Sequence, residues 1–131
     1  MSIETVAVAT WPRPRGYANG AVGVGRPLHI AGQIGWDANE QFASRELLPQ
    51  FAQALRNVAA VVAAAGGAVT DIATMTIYVT DIAAYRTALP QFGGIWRDVM
   101  GKHFPAMALV AVTALVEPMA CVEIQAVAYL A

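Results

Sequence analysis

The chain has 131 residues, of which 57% are hydrophobic and only 13% are charged, against roughly 25% charged residues in ordinary globular domains. Its mean hydropathy is +0.50. The length predicts a single domain spanning residues 1–131. A small domain has a large surface for its volume, and this chain has too few charged side chains to cover such a surface. The composition therefore predicts an oligomer in which one face is hidden.

Composition also argues against membrane and nucleic-acid partners. The longest uncharged stretch, Val58 to Val69, is shorter than the ~20 residues that span a bilayer, and residues 1–5 lack the basic segment of a signal peptide. The net charge is −1, and the eight Lys and Arg residues are scattered along the sequence, so no basic run is available to neutralise a phosphate backbone. The single cysteine, Cys121, fits a reducing compartment. We therefore expect a soluble, cytoplasmic protein.

The first part of the chain is predicted to form strands. Residues 3–9 are apolar and β-branched enough for a short strand. Residues 11–16 contain two prolines, which remove backbone donors and predict a loop. Residues 20–24 and 28–34 are predicted to form a hairpin that turns at residues 25–27.

The clearest predicted helix follows a polar loop. It begins near Leu47, with Pro49 in its first turn, and ends at Gly66-Gly67, since glycine readily takes the left-handed cap conformation. Apolar residues recur at spacings of three and four and define its buried face: Leu48, Phe51, Leu55, Val58 and Val62. Polar residues are predicted to face away from that stripe: Gln50, Gln53, Arg56 and Asn57.

The rest of the chain predicts one helix and three strands. Residues 73–80 alternate between apolar and polar, which is typical of a half-buried strand. Thr80-Asp81 supplies a predicted N-cap for a second helix that ends at Gly101, and residues 107–112 and 121–130 predict two closing strands. The order β-β-β-α-β-α-β-β predicts an α+β fold, with two helices on one face of a six-stranded mixed sheet. Neighbouring subunits would then cover the other face.

Common catalytic and cofactor motifs are not evident. The glycines near residue 20 lack the dinucleotide-binding spacing and precede no helix. His29 and His103 have no third ligand at metal spacing, so we predict no metal and no cofactor. Cys121 begins a predicted strand, where a small core residue is expected rather than a nucleophile.

Several segments, taken in order, resemble the Rid (YjgF) family and together cover nearly the whole chain. These are Arg-Gly-Tyr-Ala-Asn-Gly at 15–20, Leu-His-Ile-Ala-Gly-Gln-Ile-Gly at 28–35, Gln-Ala-Leu-Arg-Asn-Val at 53–58, Ala-Ala-Ala-Gly-Gly at 63–67, Thr-Ile-Tyr-Val-Thr-Asp at 76–81, Phe-Pro-Ala at 104–106 and Val-Glu-Ile-Gln-Ala at 122–126. The resemblance implies a chorismate-mutase-like fold and a homotrimer with a small-molecule cleft at each subunit boundary.

The resemblance also implies an activity, the hydrolysis of enamines or imines to carbonyl compounds and ammonia. In the family a glutamate of the last strand positions the attacking water, and it matches Glu123. A tyrosine of the early loop lines the cleft, and it matches Tyr17. Both residues are therefore candidate catalytic residues.

One position departs from the family pattern. The arginine that grips the substrate carboxylate follows the Pro-Ala pair in the family, and here that position is Met107. A guanidinium clamps a carboxylate at two points, whereas a thioether has no donor. Losing one partner of a buried charged pair costs about 2–5 kcal/mol, a factor of tens to thousands. We therefore expect a substrate other than simple 2-imino acids, with 2-aminomuconate-type compounds as one candidate class.

Three further residues are candidates for substrate binding. Gln125 is two residues from Glu123 and shares its strand face, where an amide can donate to a ligand oxygen. A backbone N–H near Met107 or Ala108 is expected to stabilise developing charge. Arg15, beside Tyr17, is a candidate replacement for the lost cation.

Each candidate also has a purely structural interpretation, which the sequence leaves open. Glu123 and Gln125 would then be ordinary strand residues, Tyr17 and Met107 would only pack, and Arg15 would be solvated. A non-catalytic trimer that binds or senses a small metabolite is the alternative function.

Overall fold

The computed structural model describes residues 2–131, which form six strands and two α-helices in the predicted order. A short 3-10 turn precedes the fourth strand. The elements are β1 (Ile3–Val6), β2 (Gly20–Gly23), β3 (Arg26–Ile34), α1 (Leu47–Ala64), the 3-10 turn (Val69–Asp71), β4 (Ile72–Val79), α2 (Ile82–Met100), β5 (Ala106–Ala111) and β6 (Val122–Leu130).

The six strands are divided between two sheets. β3, β6, β4 and β5 form a four-stranded sheet in that order, and β1 and β2 form a separate antiparallel ribbon. β5 runs parallel to β4, whereas β6 is antiparallel to both of its neighbours. The main sheet is therefore mixed, as predicted, but the expected single six-stranded sheet is wrong.

The predicted hairpin between the second and third strands is also wrong. β2 pairs with β1, and β3 pairs with β6, which lies about a hundred residues later in the sequence. Gly25 connects β2 to β3 with a φ of +125°, and a Cβ at this position would overlap the carbonyl oxygen of Leu130. The glycine thus allows the chain to pass closely over the end of β6 instead of turning back on itself.

Helix α1 matches its predicted boundaries and its apolar stripe. It spans Leu47–Ala64 and ends at Gly66, whose φ is +88°. Every stripe residue from Phe51 onwards is buried, and Ala54 joins them. These side chains face the sheet and form the core with the buried residues of β4 and β6.

Gln50 is a correction to the prediction, since it is 1% exposed and does not face solvent. Its side-chain amide donates to the carbonyl oxygens of Ser44 (2.9 Å) and Met119 (2.8 Å). Its Oε1 accepts the backbone N–H of Cys121 at 2.8 Å. A buried amide is tolerated where its hydrogen-bond partners are all present, and here the Gln50 amide joins α1 to the start of β6.

Burial also raises the pKa of the Cys121 thiol.

Helix α2 also follows the prediction. The carboxylate of Asp81 accepts the backbone N–H of Ala84 at 3.0 Å, which caps the helix start, and Gly101 ends the helix with a φ of +63°. Phe92 and Trp96 are buried against the core. Both helices therefore contribute to the hydrophobic core on one face of the sheet.

The other face of the main sheet lacks this helical cover. Along β6, Val122, Ile124 and Ala126 are buried, while Glu123 is half-buried and Gln125 is exposed. This alternation is the strand period of two. It places the polar residues of β6 on the uncovered face.

Within residues 2–131, none of the helices combines the length and the hydropathy needed to cross a bilayer.

Candidate functional site

A cleft of about 430 Å³ opens between α2 and the edge strand β5, and the loop at residues 15–17 closes one side. Six of its sixteen lining residues are aromatic. The aromatic residues are Tyr17, Phe51, Tyr85, Phe92, Trp96 and Phe104. A concave, largely apolar cavity with a few polar groups is the usual form of a small-molecule site.

The aromatic wall is held in place by contacts between its members. Trp96 stacks on Phe104 with ring centroids 5.9 Å apart and planes 5° apart, and its Nε1 donates to the carbonyl oxygen of His103 at 3.0 Å. Tyr85 packs against Phe92 at 4.8 Å. Burial raises the pKa of Tyr85, so its phenol is neutral at neutral pH.

The structure brings four of the predicted site residues to this cleft: Arg15, Tyr17, Met107 and Ala108. Tyr17 is 44% exposed, so its ring is accessible to a ligand. Met107 is half-buried and also packs against the core. Met107 therefore lies at the cleft wall and against the core at the same time.

Glu123 and Gln125 lie outside the cleft of their own chain. Met107 is the β5 neighbour of Met75, which is 1% exposed in the core beneath the helices. Glu123 instead faces away from the helices, between the buried Val122 and Ile124, and its neighbour on β4 is Tyr78. Met107 and Glu123 therefore occupy opposite faces of the sheet, and one chain alone does not unite them.

Gly32 lies against the candidate residue Glu123, and the sequence did not single it out. The β3–β6 pairing shifts by one residue between Ile30 and Gln33, which is a β-bulge. A Cβ on Gly32 would overlap the carboxylate of Glu123. The glycine in the Ala-Gly-Gln segment of β3 thus makes room for the Glu123 side chain, and this segment was the available signal.

The pairing of β5 with β4 bears on the N–H donor expected near Met107 or Ala108. The N–H of Val112 donates to Val79 of β4 at 2.8 Å. Because backbone groups of a strand alternate in direction, the N–H of Ala108 also points to β4. The N–H of Leu109 points to the outer edge, and Leu109 lines the cleft. Of these two residues, Leu109 is therefore the better placed donor.

A second cavity adjoins the first and is rich in basic residues. It has a volume of about 810 Å³ and is lined by residues 12–19 and 102–104, with part of β1. Arg15, Tyr17 and Phe104 line both cavities. The second cavity is also lined by Arg13 and Lys102. These two residues are so far apart in the sequence that their proximity could not be predicted from spacing.

Among residues 2–131, no three His, Cys, Asp or Glu side chains come close enough together to hold a metal ion. The Cys121 thiol lies 3.2 Å from the Oε1 of Gln50 and is half-buried.

Comparison with known proteins places this arrangement in a family. The sequence model described as Endoribonuclease L-PSP matches residues 10–130. The chain is 32% identical over 126 residues to the human 2-iminobutanoate/2-iminopropanoate deaminase, with 95% of the chain and 88% of the human protein covered. It is 30% identical to the Salmonella typhimurium protein of the same name, with 95% and 96% covered. A RutC family protein of Pyrococcus horikoshii is 28% identical, with 96% and 97% covered.

Solved structures agree with the sequence comparisons. A Rid-family protein of unknown function from Yersinia pestis superposes with a TM-score of 0.85 at 30% identity, covering 99% of this chain and 100% of that one. A Mycobacterium tuberculosis member of the YjgF family gives a TM-score of 0.66 at 31% identity, with 88% and 87% covered. The chain belongs to the Rid family, which confirms the resemblance.

Proposed function

We propose that this protein hydrolyses an enamine or imine to a carbonyl compound and ammonia. The observation that carries the proposal is the convergence of Tyr17 and Met107 on one aromatic cleft in a Rid-family chain that keeps Glu123. Relatives about 30% identical to this chain are named 2-iminobutanoate/2-iminopropanoate deaminase. That name describes those proteins, and the substrate here is expected to differ.

The proposed site is completed by a second copy of the chain. Glu123 lies on the uncovered face of the sheet, opposite the face that carries Met107. In the homotrimer that we propose, Glu123 of a neighbouring subunit faces the cleft between α2 and β5. This arrangement accounts for a glutamate that retains its place in the sequence but lies outside its own chain's cleft.

The proposed chemistry needs a base and a site for developing charge. Water adds to the carbon of the C=N bond, and Glu123 accepts a proton from that water. The proton on Glu123 and then the remaining hydroxyl proton pass to the nitrogen, which leaves as ammonia, while the water oxygen remains in the new carbonyl group. An enamine first moves the N–H proton to its β-carbon and so becomes the imine. The outward N–H of Leu109 is suited to stabilise charge on the substrate, and the Tyr17 hydroxyl supplies a further hydrogen-bonding group.

Met107 determines which substrates the proposed enzyme rejects. Its thioether provides no charge for a carboxylate next to the reacting carbon. Simple 2-imino acids therefore lack their family partner in this cleft, and the large aromatic wall favours a bulkier substrate. Compounds of the 2-aminomuconate type remain one candidate class.

The family description Endoribonuclease L-PSP raises RNA cleavage as a competing activity. Four of the eight Lys and Arg residues line the two cavities, whereas nucleic-acid binding commonly rests on about 6–10 phosphate contacts. The charge is therefore better matched to a small anion. A non-catalytic trimer that binds a small metabolite is the alternative to the enzyme.

The test is ammonia release from freshly generated enamines and imines, compared between the wild type and Glu123→Gln. The amide has the same size but does not accept a proton, so turnover should fall at least about a hundredfold, within the usual contribution of a general base. Glu4→Gln is the matched control, because Glu4 is exposed on β1, and it should retain full turnover. Full activity of Glu123→Gln would contradict the mechanism. Tight binding of a metabolite without any turnover would favour the binding protein.

A further inference from the structure

Four basic side chains converge on the joined cavities although they are far apart in the sequence. Arg15 lines both cavities, Arg97 lines the aromatic cleft, and Arg13 and Lys102 line the outer cavity. The chain has only eight Lys and Arg residues in total. Half of its positive charge is therefore gathered at one place by the fold.

This charge is not balanced by acidic groups of the same chain, and the proposed trimer would add one carboxylate, Glu123 of a neighbouring subunit, to four cations. Among residues 2–131, no Asp or Glu lines either cavity. Uncompensated cations around a concave surface attract anions and raise their local concentration. The electrostatics of the site thus match a negatively charged ligand.

The positions of the cations restrict the shape of that ligand. Arg97 belongs to the last turn of α2, Arg15 belongs to the loop at residues 15–17, and both line the cleft. Both side chains are exposed, whereas Met107 is half-buried beside the aromatic wall. Charge recognition is therefore available at the mouth of the cleft, and apolar contact is available inside it.

We infer that the cleft binds a carboxylate-bearing ligand with an apolar or unsaturated body, whose carboxylate is held at the mouth by Arg15 and Arg97. This inference rests on the proposed function for the identity of the reaction, and it names the substrate class. The reacting C=N group lies inside the cleft, several bonds from the recognised carboxylate. A carboxylate directly attached to the reacting carbon is not required.

The inference is tested by equilibrium binding, which does not depend on turnover. The probes are 3-phenylpropanoate and its neutral counterpart 3-phenylpropanamide, measured by titration calorimetry with wild type, Arg15→Gln, Arg97→Gln and the double variant. Arg86→Gln is the matched control, because Arg86 is an exposed α2 residue that lines neither cavity.

The expected result is a preference of the wild type for the carboxylate over the amide that weakens as salt rises. An exposed charge pair is worth a factor of up to about five, so each single variant should lose a comparable share of the preference. The double variant should lose it all, and Arg86→Gln should keep it. Equal binding of acid and amide by the wild type would overturn the inference, as would an unchanged preference in the double variant.

Turnover assays separate this inference from the proposed function. An arginine-dependent carboxylate preference without ammonia release from any enamine or imine would support the anion site and reject the enzyme. Ammonia release that is unaffected in the double variant would support the enzyme and reject the role of Arg15 and Arg97.

Discussion

Met107 shares the cleft wall with Tyr17 and packs against the core at the same time. A residue with two contacts of this kind is not free to change without a cost to packing. The replacement of the family's arginine by methionine therefore alters both the charge and the apolar surface of the cleft.

The residue-scale prediction is that Met107→Arg raises hydrolysis of 2-iminopropanoate. The guanidinium supplies the two-point clamp that the thioether lacks, and the gain in kcat/KM should reach about tenfold or more, given the 2–5 kcal/mol commonly lost with such a partner. Met107→Leu is the control, since it keeps an apolar side chain of similar size, and it should show no gain. A Met107→Arg protein that folds and still ignores this substrate would contradict the prediction.

The sequence predicted the members of the site better than their arrangement. Arg15, Tyr17, Met107 and Ala108 lie at one cleft because they form two close pairs in the sequence. The two segments that hold these pairs meet where Ala18 pairs with Ala106. The opposite orientation of Glu123 depends on strand pairing over long distances, which no local pattern contains. Arg97 and Lys102 were not singled out, since a lone cation on a helix or in a loop has no distinguishing spacing.

At the scale of elements, Gly66 and Gly94 allow the effect of backbone conformation on stability to be measured without a change in packing. A Cβ at either Gly66 or Gly94 would meet no atom within 4 Å. Gly66 has a φ of +88° at the end of α1, whereas Gly94 lies within α2. Any difference between their alanine variants must therefore come from the backbone.

We predict opposite effects on the free energy of unfolding, measured by urea denaturation. Gly94→Ala should stabilise the protein by about 0.5–1 kcal/mol, because alanine is the better helix residue. Gly66→Ala should destabilise it by about 1 kcal/mol, because a side chain disfavours the left-handed region. Stabilisation by both variants would show that the cap conformation at Gly66 is not maintained in solution.

The elements predicted well are those defined by local patterns. Helix α1, strand β4 and helix α2 were placed within a residue or two, since their periodicity and caps lie within each segment. The β2–β3 hairpin failed because glycines near residue 25 are compatible with either a tight turn or a close crossing. Only the proximity of Leu130 distinguishes the two, and that contact joins residues more than a hundred positions apart.

At the scale of the whole molecule, the uncovered face of the main sheet is the proposed trimer interface. We expect sedimentation to give three times the 13.8 kDa chain mass. Val110 is 43% exposed beside Tyr78 on this face, so Val110→Asp should dissociate the trimer because an interface carboxylate would be desolvated. Val116→Asp is the control, as Val116 is 94% exposed in a loop and its variant should remain trimeric. A monomeric wild type at micromolar concentration would contradict the proposal.

The central position of β6 has a consequence for biosynthesis. β6 pairs with both β3 and β4, so β3 gains its main-sheet partner, and β4 its second partner beside β5, only when residues 122–130 have left the ribosome. Until then β3 has no neighbour in the main sheet, and one edge of β4 is open while the core beneath both strands is incomplete. Unpaired strand edges and exposed apolar surface promote aggregation of nascent chains. Chaperone dependence during synthesis should therefore be governed by the release of this last strand, rather than by the helices, which form from local interactions as they emerge.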